Sequence, residues 1–493
     1  MRGWVSAYTW NSRNTAPLAA ALVVFGVYLP SSLRRSAWSD DYPLLVDMDL
    51  SWALSRGQPV SGIVQFIGFR LVNSIDDLRF LRIFGLLGTA VLIWWIARFL
   101  ITNGLSVTSA ALVAATVGFL PSFHFPSGWA TTFPSSWQCL LAAISGILWV
   151  DAKDNRQRRH RLLAILLMTA MLLSYPPAAM FCWAVLAIRL SLTRGNAQLA
   201  VRQMISMGAL IAVSTILSLS TIGLVAQLTD IGDPSQFRFV SSGAEALRKL
   251  GWFVSHPIVV GARPFCTLSP STLSAAATGG PVLVLIAIGT YLRAKGSISD
   301  RLTFVAVVGG SAALTMTSHL IAADNQIEYR FMTGLTVSMW ILLVLAVKSI
   351  VSSLPIRPNL RRHLRTFGVC FLLVATVLVA MIAQSSVDRL FLEPFNSKDH
   401  YLRAHLADFD EDRHSRIVVV RPETWPSPRP RLGVFSTVTD LSHGWVVEPN
   451  IRLLLREQGV TAEKLDILIL DEFPTLEKAD LSLDLRPYVQ QLG

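Results

Sequence analysis

The chain has 493 residues, of which 52% are hydrophobic and only 15% charged, and its formal net charge is +11. A mean hydropathy of +0.49 at this length excludes both an ordinary soluble globule and a disordered chain. The four cysteines are isolated, Cys139, Cys182 and Cys370 in apolar runs and Cys266 in a loop, so neither a disulfide framework nor a zinc site is available.

Apolar runs of 16 to 25 residues recur along the chain, the length needed to cross a hydrocarbon core of ~30 Å. They predict eleven spans, roughly 15–33, 81–101, 106–121, 135–150, 162–176, 177–193, 204–228, 272–291, 302–321, 331–350 and 366–386. The first has no small-residue cleavage site behind it and reads as a retained span. With the amino terminus inside, the inner segments hold nineteen Lys and Arg, and eleven of the fourteen acids before residue 388 fall outside. That asymmetry follows the positive-inside rule. The positive charge faces anionic lipid, which gives no reason to expect a nucleic-acid partner.

After the first span comes Trp38-Ser39-Asp40-Asp41-Tyr42-Pro43. A carboxylate pair at the outer membrane edge is costly to keep ionised without a partner. It suits a general base, a ligand for a divalent ion such as Mg or Mn, or both; a solvated turn is the plain alternative. Tyr42 beside the pair is a candidate substrate contact. Residues 47–57 predict a short helix closed by Gly57. Val60, Ile63, Val64, Ile67 and Leu71 form an apolar stripe at helical spacing, suited to the membrane interface. Ser74 to Asp77 has the form of a capping box leading into the second span.

Other candidates lie further along the outer face. His124, in Pro121-Ser-Phe-His-Phe-Pro126, is a candidate substrate contact against a packing role, and Tyr175-Pro-Pro177 predicts a tight outer turn. His256 and Arg263 occupy the large loop between the seventh and eighth spans. Arg330 is the one basic residue of its short outer loop. It suits a phosphate ligand, with a snorkeling arginine paired to Glu328 as the alternative. From 388 to 493 the net charge becomes −5, against +16 before it. Residues 416–421 and 465–470 predict buried strands, 401–409 and 450–458 helices, and Pro422 to Pro430 a proline-rich crossing. The expected fold is an all-α polytopic membrane domain over 1–387 with a small outer α/β domain over 388–493.

A first span, an Asp-Asp pair in the first outer loop, interfacial helices and a run of further spans resemble the GT-C fold of membrane glycosyltransferases. Ser39-Asp-Asp-Tyr-Pro43 and Arg56-Gly-Gln-Pro-Val60 are similar to stretches of bacterial O-antigen glucosyltransferases of the serotype-converting kind. In the second stretch that family leads one to expect a Gly-Arg pair where this chain has Gly57-Gln58. The resemblance implies a polyprenyl-phosphate sugar donor, a cell-surface glycan or lipid-linked acceptor, and a bacterial cytoplasmic membrane. It also implies inversion at the sugar, with Asp40 or Asp41 deprotonating the acceptor hydroxyl. The lipid phosphate then leaves without protonation and needs cationic neutralisation. A flippase for a lipid-linked saccharide or a surface glycan polymerase are the alternatives. A flippase should carry charges inside several spans, whereas these acids cluster at one face.

Overall fold

The computed structural model describes residues 2–152, 157–193, 195–229, 239–265, 272–325, 327–355, 357–421, 444–460, 465–472 and 480–486. Cys266 and Pro422 to Pro430 lie outside the described residues. The chain is mostly helical. α1 (Arg2–Leu33) leads through three short helices, α2 (Asp41–Val46), α3 (Leu50–Ser55) and α4 (Pro59–Arg70), to α5 (Leu78–Thr102), against which it packs. α6 (Val107–Gly118) is followed by the single turn α7 (Phe125–Gly128). Then come α8 (Ser135–Asp151), α9 (Arg158–Leu172), the turn α10 (Pro176–Ala179), α11 (Phe181–Leu192) and α12 (Ala197–Thr229). α13 (Gly243–Ser255) and α14 (Pro257–Gly261) precede α15 (Thr272–Arg293), α16 (Ile298–Ala313), α17 (Thr317–Ile321) and α18 (Thr333–Ser353). α19 (Pro358–Val387) passes through a π-helical turn, Asp388–Leu392, into α20 (Glu393–Leu406).

Every one of the eleven predicted hydrophobic runs has a helix in the structure. Among the described residues eight helices are long and apolar enough to cross a bilayer, or nine if the pair Val107–Gly118 and Pro121–Gly128, bent by 64°, is one span. These make the chain a multi-pass membrane protein. α6, α9 and α11 have 12, 15 and 12 residues, and at ~1.5 Å per residue each alone falls short of a full crossing. α5 and α18 are the inner helices, with 61% of their best windows buried. α12 is an outer one at 17% and turns Ile205, Ile216 and Leu228 outward, as a lipid-facing helix does.

The carboxy-terminal unit is built on a three-stranded parallel sheet of order β2-β1-β3, from β1 (Arg416–Val420), β2 (Asp466–Leu470) and β3 (Asp480–Asp484). Arg416 pairs in register with Asp466 on one side and Asp480 on the other. β1 is central and buried, whereas β2 is a half-exposed edge strand, so only one of the two predicted strands is buried as expected. α20 and α21 (Gly444–Glu457) cover the sheet through Leu402, Leu406, Ile451 and Leu454. Past Glu457, Gly459 at φ +85 ends the helix in the left-handed region, as a glycine readily does. No break separates the two parts at residue 388, since the helix runs through it.

Candidate active site

The connection from α1 to α2 is held from below by one buried side chain. Arg82 of α5 donates to the carbonyls of Ser32 (3.2 Å), Arg34 (2.5 Å) and Ser36 (2.5 Å). Ser32 lies in the last turn of α1, where carbonyls have no intrahelical donors left, and Arg34 and Ser36 follow just past its end. Five donors in a fixed fork let one guanidinium serve all three. Two residues beyond Arg82's last carbonyl partner stands Trp38, and then Ser39. Ser39 has φ +43, the one positive φ on a non-glycine among the described residues. Such a conformation costs on the order of 1–3 kcal/mol and is kept where surrounding structure enforces it. It turns the chain so that the two following carboxylates part ways.

Asp41 points inward and is fully buried. One carboxylate oxygen accepts from the backbone N–H of Trp38 (2.9 Å) and Ala130 (3.3 Å). The other accepts from the Thr131 N–H (2.7 Å) and hydroxyl (2.6 Å). Both oxygens are thus occupied, and no face is left for an ion or a substrate proton. Burial raises its pKa to about 6, with the Thr131 and Trp38 donors and the Arg82 charge opposing that rise. At neutral pH the group is mostly ionised, as four donors require. Asp41 is a clasp between the first loop and the turn at Ala130–Thr132.

Asp40 is half-buried and turned the other way. Burial raises its pKa above the ordinary carboxylate range; Arg330 and Arg56 pull it down and Glu328 adds to the rise. Arg56 comes from the end of α3, where Gly57 at φ +64 reverses the chain. Its own pKa is lowered by burial, with Asp40 opposing and Arg330 adding to that fall. Arg330 donates through Nε to Glu328 at 2.5 Å. Its guanidinium lies 4.8 Å from the Trp129 ring centroid and 4.7 Å from that of Phe331. Among the described residues no protein acceptor engages its two terminal nitrogens.

Two polar groups beside this cluster are buried without a hydrogen-bond partner among the described residues, the Tyr175 hydroxyl and the Trp129 indole N–H. Tyr175 acts electrostatically on Arg330. Its turn is tied to α8 by Gln138, which donates to Ser174 Oγ at 2.6 Å. Buried donors left without partners are rare in a folded protein, and these two flank a cation. Asp40 and Glu328 are the carboxylates available to an ion here. Among the described residues no group of three or more His, Cys, Asp or Glu side chains gathers around a common point.

The structure brings together only part of the predicted set. Tyr42 is fully buried, donates its hydroxyl to the Ala37 carbonyl at 3.2 Å and carries the Lys398 ammonium 4.3 Å over its ring. It packs rather than meeting substrate. His124 is 1% exposed and packs edge-on against Tyr28, which makes it a core histidine and corrects its reading as a substrate contact. His256 is exposed and shares a 2.8 Å hydrogen bond with Ser255, and Arg263 follows α14. The charges that act on Asp40 come from Arg330, Arg56 and Glu328, and neither His256 nor Arg263 is among them. The snorkeling alternative for Arg330 is half-right: the Glu328 pair forms, but beside Asp40.

Sequence reasoning missed Arg56, Tyr175 and Trp129 as members of the site. Arg56 lies inside Arg56-Gly-Gln-Pro-Val60, and Tyr175 reads from the sequence only as part of a turn. No local pattern marks either one, because they meet Arg330 through chain crossings of more than 100 residues. No protein-family model matches the chain, and comparison with curated proteins gives no match.

Proposed function

We propose that the chain is an inverting GT-C-type glycosyltransferase that moves a sugar from a polyprenyl-phosphate carrier to a surface glycan or lipid-linked acceptor. The observation that carries this reading is one half-buried carboxylate, Asp40, within electrostatic reach of two guanidinium groups, Arg330 and Arg56. Asp40 takes the acceptor hydroxyl proton as the new C–O bond forms at the anomeric carbon. The anomeric C–O bond to phosphate breaks in the same step, and the phosphate keeps the electron pair. Arg330 and Arg56 neutralise that developing charge. The Tyr175 hydroxyl and Trp129 N–H supply the donors that a sugar or phosphate oxygen would satisfy. Asp41 holds the loop and does not touch the reacting atoms.

The geometry at the bilayer surface supports a lipid-borne donor. Ile63 and Ile67 of α4, with Leu71 just past it, are 52%, 57% and 77% exposed on one stripe, a face that lipid would cover. The decisive experiment is mass spectrometry of surface glycans from a strain lacking this protein. Loss of one sugar residue is expected, and an unchanged glycan overturns the reading. In this proposal all eleven runs cross the membrane, α6, α9 and α11 together with the short turns that adjoin them, with the amino terminus inside and residues 388–493 outside. A reporter fused after Gly493 is then expected to be active only in its external, oxidising form. Activity of a cytoplasmic reporter there would place Asp40 on the wrong face for the donor.

A further inference from the structure

We propose that the carboxy-terminal α/β unit braces the loop that carries Asp40, and that Arg35 is the positioning residue through which it does so. Arg35 lies five residues before Asp40. One of its terminal nitrogens donates to Asp76 at 2.7 Å, ahead of α5. The other donates to both carboxylate oxygens of Glu457 on α21, each at 2.8 Å, and stands 3.8 Å from Asp399 on α20. Arg403 of α20 binds the same two carboxylates, Asp399 at 2.7 Å and Glu457. Arg35, Asp399 and Glu457 are only 26%, 17% and 25% exposed at their side chains. Water therefore screens them less than the exposed pairs that contribute almost nothing.

On the other side of Asp40 the contact is apolar. Tyr42 and Leu44 of α2 share a buried cluster with Phe395 of α20 and with Val446 and Leu453 of α21. Asp40 is thus flanked at positions 35 and 42 by residues seated on the carboxy-terminal unit. That unit has its own core, Leu402, Ile417, Val419, Ile451 and Leu454 among others. It does not need the loop in order to bury its sheet. What the contact adds is rigidity in the loop, against the strain at Ser39.

The test uses full-length protein in lipid nanodiscs and two readouts, amide hydrogen exchange and transfer from polyprenyl-phosphate glucose. Arg35→Met is expected to accelerate exchange over residues 36–46 at least ~10-fold, by raising the population of the locally open loop. It is expected to lower kcat ~10²-fold, the usual cost of a small misplacement, with donor KM within ~2-fold. Arg35→Lys should recover part of both. The double variant Arg35→Met, Glu457→Gln should be no worse than Arg35→Met, as expected for one shared interaction. Exchange in α18 serves as the folding control; if Arg35→Met disturbs it, Arg35→Lys and Glu457→Gln carry the test. Unchanged loop exchange in these variants overturns the brace, as does faster exchange with unchanged kcat. The kcat arm rests on the glycosyltransferase reading, but the exchange arm does not. Wild-type protein that transfers no sugar, yet loosens its loop on losing Arg35, would sink that reading and leave the brace standing.

Discussion

Asp40→Asn is expected to leave folding intact and to cut sugar transfer by ~10²–10⁴-fold, the usual worth of general-base assistance. Asn nearly matches Asp in size but cannot take a proton at neutral pH. The side-chain hydrogen bond of Asp40 is to its neighbour Ser39, which an amide oxygen can also accept, so thermal unfolding of the purified variant should match wild type. The pH profile gives an independent check. Only the carboxylate form accepts the proton, and burial raises the Asp40 pKa. Activity should therefore fall as pH drops through that raised value, and the acid limb should lie above the ordinary aspartate range. Asp41→Asn has a different signature. Its amide nitrogen would face two of the donors that Trp38, Ala130 and Thr131 now direct at the carboxylate. Each buried donor left unpaired costs about 1–3 kcal/mol, so this variant should unfold at lower temperature. A stable, inactive Asp41→Asn beside an active Asp40→Asn would exchange the two roles and refute the assignment.

The helices were legible because hydrophobic length is a local property: each predicted run, from 15–33 to 366–386, has its helix. β1 was legible for the same reason, from Ile417 and the three valines that follow. β3 was not, since Asp480-Leu-Ser-Leu-Asp484 carries too little apolar surface to mark a strand until β1 pairs with it. Within the site, the acidic pair stood out, but its division of labour did not. That division depends on one left-handed residue, Ser39, and on Thr131, 90 residues away. Arg56 shows the limit most clearly. The resemblance led one to expect an arginine after the glycine, and this chain carries it before Gly57. Only the three-dimensional fold reveals that this arginine acts on Asp40 all the same. Tyr42 and His124 misled for the opposite reason, since aromatic neighbours and nearby prolines look alike in a binding loop and in a buried turn.

Arg330→Ala is expected to lower kcat/KM for the polyprenyl-phosphate donor by ~10²-fold or more, the scale seen when one stabilising donor is removed from a developing oxyanion. Steady-state rates over a range of donor concentrations measure it. Arg330→Lys should fall between, since it keeps a point charge for phosphate but loses the planar fork, the Nε bond to Glu328 and the stacking on Trp129. The sharper forecast concerns Asp40. At present Arg330 lowers the Asp40 pKa and Glu328 raises it. Removing the arginine deletes the lowering charge and leaves Glu328 without its partner, so both changes push Asp40 upward. The acid limb of transfer should therefore move to higher pH in Arg330→Ala, and by less in Arg330→Lys. An arginine that merely reached for the membrane interface would alter neither donor use nor that limb. An alanine variant with wild-type donor dependence and an unmoved limb would remove Arg330 from the site and leave Arg56 as the cation facing Asp40.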